Sequence, residues 1–196
     1  MSKWPSIKHC GNHKSVGILA FAAGLLLLCH GSILAGPARA SSVEYRVKAA
    51  FLYNFTKFVE WPANDEKKGK PFRIGILGKD RFGGEMEALA GKAVNDRFLE
   101  IQRFLGWEDR AAQCDILFIS SSEEKNLPEI LRRLNKAPIL TVGDTDGYAA
   151  RGVMINFFME ANKVRFEINL KPARHVGLKI SSRLLKLAVI FDGSAE

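Results

Sequence analysis

The chain has 196 residues, a formal charge of +8 and 26% charged side chains, which suits one domain large enough to bury a full core without metal or disulfide support. Its basic excess does not describe a nucleic-acid binder, because Lys and Arg are scattered among acids instead of gathered on one face.

Lys3, Lys8 and Lys14 precede Val16 to Cys29, an uncharged and mostly apolar run too short to cross a bilayer comfortably. Ala38-Arg39-Ala40 then supplies the small-x-small pattern of a signal peptidase site. Residues 1–40 therefore read as a cleaved export signal, and residues 41–196 as a single periplasmic domain. Leu28 stands before Cys29 where a lipoprotein signal needs a small residue. Cleavage would remove Lys3, Lys8, Lys14 and Arg39 with no acid, lowering the charge to +4, and would leave Cys114 as the one thiol. No intrachain disulfide could then form.

"AFLYNFTKFVEWP", Ala50 to Pro62, carries five aromatic rings. At 100° per residue Val47, Phe51, Leu52, Phe55, Phe58 and Val59 share one arc, with Arg46, Thr56, Lys57 and Glu60 opposite. The charges exclude a lipid-spanning segment. An amphipathic helix ended by Trp61-Pro62 is expected. Tyr53 falls among the charged positions, where its ring either covers the stem of Lys57 one turn away or meets a second chain.

Asn64 to Lys70 reads as a charged linker. Beyond it, short apolar runs alternate with helical segments, which points to an α/β fold: a mostly parallel sheet flanked by helices in three layers. Strands are expected at Phe72–Leu77, Leu99–Phe104, Asp115–Ser120 and Pro138–Val142. Helices are expected at Arg81–Ala90, Glu108–Gln113 and Glu123–Asn135, the last capped by Ser122 with Pro128 near its regular start. Met154–Glu160 and Lys163–Asn169, joined by Ala161-Asn162, must form a C-terminal antiparallel hairpin. In its second strand Val164, Phe166 and Ile168 alternate with Lys163, Arg165, Glu167 and Asn169, the pattern of an edge strand with a wet outer face. Ser181–Phe191 is expected to close the domain as a helix burying Leu184, Leu185, Leu187 and Ala188.

Motifs that could carry chemistry are sparse. Gly78 to Gly84 lies between a strand and a helix, where backbone amides can hold an anion, but it fits neither the P-loop nor the dinucleotide fingerprint and reads as a plain turn. Asp144-Thr145-Asp146-Gly147 fails the calcium-loop spacing and is turn chemistry. One imidazole beyond the signal, His175, makes a weak start for a metal site, and Cys114 at the mouth of the most apolar strand reads as structural. No serine-hydrolase, zinc-protease or penicillin-binding signature occurs. No catalytic residue, metal or cofactor is expected.

"YRVKAAFLYNFTKFVEWP" at Tyr45 to Pro62 and "INFFMEANKVRFEINLKPARHVGLKISSRLLKLA" at Ile155 to Ala188 resemble the YfiR-like family of periplasmic proteins. "RIGILG", "DILFIS" and "ILTVGD" follow in the expected order between them. The resemblance implies a dimeric, non-catalytic sandwich that holds an inner-membrane diguanylate cyclase of the YfiN type inactive, with release by an outer-membrane lipoprotein of the YfiB type. It does not carry over a disulfide-linked redox control, since Cys114 would have no partner within the chain. Arg151-Gly152 also stands where many relatives have Gly-Gly.

The reading that follows is a periplasmic regulator of cyclic-di-GMP signalling that acts by binding. Its candidate contact residues are Arg165, Glu167, Asn169, Arg174 and His175 on the wet face of the hairpin and the turn after it, together with Tyr53. The alternative is a small-ligand sensor with its pocket at the carboxyl ends of the strands, near Gly78, Ser120 and Gly143.

Overall fold

The computed structural model describes residues 37–64, 67–134 and 136–193, with side chains from residue 42 onward. The n-region and apolar run of the expected signal lie outside the described residues. In chain order the elements are α1 (Pro37–Phe58), β1 (Val59–Glu60), β2 (Phe72–Leu77), β3 (Ala93–Val94), β4 (Arg97–Phe104), β5 (Ile116–Ile119), α2 (Leu127–Leu134) and β6 (Leu140–Gly143), then β7 (Ile155–Glu160), β8 (Lys163–Asn169), α3 (Leu170–His175), β9 (Lys179–Ile180), α4 (Ser182–Leu185) and β10 (Val189–Phe191). Eight strands form one sheet in the order β10-β8-β7-β6-β5-β2-β4-β3. Within it only β7–β8 and β3–β4 pair antiparallel.

Both faces of the sheet are covered, which makes the fold a three-layer α/β sandwich. On one side Tyr45, Ala49, Leu52 and Phe55 of α1 pack on Ile74, Ile76, Phe118, Phe157 and Phe166; on the other, Leu127, Ile130 and Leu134 of α2 cover Leu77, Phe104, Leu117 and Ile119. The aromatic opening stretch is core. Phe51 and Phe55 meet Phe157 and Phe166 at ring-centroid distances between 5.2 and 5.9 Å, pairs that add about 0.5–1.5 kcal/mol each beyond area burial. At the hairpin, Ala161 and Asn162 both take positive φ, as a two-residue connection between twisted strands requires.

Six expectations need correction. The buried face of α1 is rotated from the expected arc: Val47 is exposed, whereas Tyr45, Lys48 and Thr56 are buried. Lys48 goes inside because Asp144 waits there, and Thr56 because its hydroxyl donates to the Tyr53 carbonyl. The helix also stops at Phe58, since Val59 and Glu60 pair with Ile180 and Lys179. Between Arg81 and Ala90 there are two short 3-10 turns, Gly83–Glu85 and Glu87–Leu89; the glycine pair makes a longer helix entropically costly.

Ser122 caps no helix and accepts a hydrogen bond from the Lys79 amide instead; the chain runs Ser121–Asn126 as 3-10 before α2. The charged linker is partly anchored, because Lys67 reaches the buried carboxylate of Asp115 at 2.8 Å. Finally, Ser181–Phe191 is helical only over α4. Its last three residues form β10, parallel to β8, so β8 is an interior strand and Leu187 is exposed.

Candidate functional site

Arg165, Glu167 and Asn169 alternate along β8 on the face away from α1. Glu167 is engaged: its carboxylate accepts from Asn156 Nδ2 at 2.9 Å, and the buried Asn156 accepts the Thr145 amide at 3.2 Å. Asn169 is the cap of α3, its Oδ1 accepting the Lys171 amide and its Nδ2 donating to the Ala149 carbonyl. Arg165 is half-exposed, with a 3.6 Å contact to Glu160. Beyond the cap, Arg174 and His175 stand exposed on α3. The structure therefore gathers five of the six expected contact residues along β8 and α3.

Tyr53 is not among them. It lies toward β3, at the opposite edge of the sheet, with its hydroxyl 3.4 Å from the Ala93 carbonyl. The ammonium groups of Lys57 and Lys92 sit 4.4 and 5.2 Å from its ring centroid.

Two cavities flank α3. One, about 520 Å³, lies between the end of α2, the starts of β6 and β7, and α3; the other, about 640 Å³, shares Ala150, Asn169 and Lys171 with it and runs to β10. His175 lines the first and Arg174 the second. Sequence reasoning missed Lys171 and the turn at Ala150–Gly152. The first had a signal, since Lys171, Arg174 and His175 fall within six residues. The turn had a fainter one: Gly152 takes φ +105°, a conformation that favours glycine.

The carboxyl ends of the parallel strands, where open sheets commonly bind ligands, are filled. Tyr148 is fully buried there and donates to the Ser120 carbonyl at 3.2 Å. A Cβ on Gly143 would overlap the Tyr148 ring. Within the Gly78–Gly84 turn the Gly78 amide donates to the Phe104 carbonyl, the Lys79 amide to Ser122 and the Phe82 amide to Asp80.

Nearby, Asp144 accepts from Tyr45 at 2.6 Å and pairs with Lys48 at 2.7 Å, both acid and ammonium almost wholly buried. Burial, followed by the Asp144 carboxylate, pushes the Tyr45 phenol well above its ordinary range. This latch ties α1 to the end of β6. Cys114 is equally enclosed, its thiol pushed up to about 12 by burial first and by Asp115 second. It is not a nucleophile at neutral pH. Among the described residues, no helix is long and apolar enough to cross a membrane.

A family model described as "DUF4154: YfiR/HmsC-like" matches residues 45–189. A solved structure described as a conserved domain protein from Vibrio cholerae O1 biovar El Tor strain N16961 is similar at a TM-score of 0.51 and 11% identity, over 74% of this chain. The match spans 59% of that protein's length, and at this identity the likeness is one of fold.

Proposed function

This chain belongs to the YfiR/HmsC-like family, whose members regulate cyclic-di-GMP signalling from the periplasm, and on that premise we propose that it binds an inner-membrane diguanylate cyclase of the YfiN type and holds it inactive. Export with cleavage after Ala40, a working homodimer and release through an outer-membrane lipoprotein of the YfiB type belong to the same reading. Repression of this kind requires no turnover. A preference of about 3 kcal/mol for the inactive partner shifts a balanced equilibrium more than a hundredfold.

The observation that carries the choice of surface is the cationic end of the hairpin. Arg174 and His175 are exposed and line the two cavities, and Arg165 is half-exposed on β8. Exposed charges at a rim steer and orient an acidic partner. Glu167 and Asn169 hold that surface in shape through Asn156 and the cap of α3. Tyr53, at the other edge of the sheet, would serve a separate contact such as that between two copies.

Deleting the gene should raise cellular cyclic-di-GMP, and the wild-type gene should restore it. A gene carrying Arg165→Glu with Arg174→Glu should fail to restore it while the protein is exported at normal levels. No rise on deletion would refute the regulatory reading; full rescue by the double variant would refute only this surface.

A further inference from the structure

We propose that the cavity between α2 and α3 is a binding site for a small amphipathic monocarboxylate, with the apolar body inside and the carboxylate at the rim. Its volume of about 520 Å³ falls within the range of small-molecule sites, about 300–1,000 Å³. Leu134, Ile139, Met154 and Val176 make the floor apolar.

The polar groups that reach inside are already satisfied. Thr141 Oγ1 accepts the Met154 amide at 3.1 Å, and Asn169 is committed to Ala149 and Lys171. Hydroxyls of a sugar or polyol would lose water there with little in return. The interior therefore selects hydrocarbon or an aromatic ring.

The rim selects a negative charge. Arg151, Lys171 and His175 line the cavity, and no Asp or Glu does. Arg151 is held by Glu124, donating to its carbonyl at 2.7 Å, whereas Lys171 and His175 have no side-chain partner among the described residues. An anion at the mouth would meet both beside an apolar wall, where the lower dielectric strengthens the attraction. The adjoining cavity gives a longer body room past Lys171, but Asp192 lines it, which disfavours a second carboxylate. Asn169 and His175 also belong to the surface proposed for the membrane partner. A bound anion would thus act on partner affinity, a consequence that rests on the preceding reading while the site itself does not.

The test titrates octanoate, octanol and octylamine into the protein exported from the full-length gene, followed by calorimetry and by amide chemical shifts. Octanoate should bind saturably, once per chain, at least tenfold tighter than either analogue. Lys171→Glu with His175→Glu, both exposed positions, should weaken octanoate at least tenfold at an unchanged melting temperature, and Ala150→Trp at the mouth should block it. No saturable octanoate binding, equal binding of octanol, or full affinity in the charge-reversed variant would overturn the site. If Ala150→Trp does not fold, the charge reversal decides. Octanoate binding with no change in partner affinity would overturn only the regulatory consequence.

Discussion

The two ends of the parallel strands have opposite characters. At the carboxyl ends Tyr148 fills the space above Ser120 and Gly143, and the buried Lys48–Asp144–Tyr45 cluster fastens α1 in place. At the amino ends of β6 and β7 two cavities open, and Lys171, Arg174 and His175 of α3 stand exposed beside them. The usual ligand position of a doubly covered sheet has become a structural seal, and the proposed recognition surface lies at the other end. Buried polar groups with partners hold one end; exposed basic side chains stand at the other.

The largest effect that can test this contrast is at the seal. Asp144→Asn leaves Glu44, among the described residues, as the one carboxylate beside the buried Lys48 ammonium, and loss of one partner of a buried pair costs about 3–5 kcal/mol; with Glu44 still in place, urea denaturation should lose about 3 kcal/mol, the lower end of that range. Gly143→Ala pushes a methyl into the Tyr148 ring, and overpacking of this kind costs about 1–3 kcal/mol, measurable by the same unfolding curves.

Alkaline titration gives a subtler effect. The fold raises the Tyr45 pKa above its ordinary value, so the unfolded chain releases that proton first and stability falls as pH rises beyond about 10. Tyr45→Phe should flatten that slope in melting experiments between neutral and strongly alkaline pH. At the open end the expected stability change is smallest: Lys171→Glu with His175→Glu should stay within about 0.5 kcal/mol of wild type. A large loss there would mean that α3 is a structural element like the seal, and the contrast would fail.

Much of the architecture was legible in the residues because its signals are local. "ILFI" at Ile116–Ile119 is a continuous apolar run, and the hairpin has both alternation and a two-residue turn. What was missed depends on partners distant in the chain. Leu184, Leu185, Leu187 and Ala188 have helical spacing, yet Val189 to Phe191 is drawn into the sheet by β8, a case in which pairing overrides local pattern. The burial of Lys48 has no local signal, because its partner Asp144 lies 96 residues on.

The proposed contact surface draws on local signals in part. Alternation in β8 and the basic run after it marked Arg165, Glu167, Asn169, Arg174 and His175. The cavity could not be read, because its walls come from α2, the Ala150–Gly152 turn and α3. Nor did any pattern separate Glu167, which supports Asn156, from the exposed arginines beside it.

The central claim is that the β8–α3 end grips a membrane signalling partner. Its most direct test is the affinity of the exported protein for the periplasmic portion of a diguanylate cyclase, measured for wild type and for Arg165→Glu with Arg174→Glu, alongside melting temperatures. Binding by the wild type and at least a tenfold loss in the variant, with melting unchanged, is the predicted result. Equal affinity of the two proteins would contradict it.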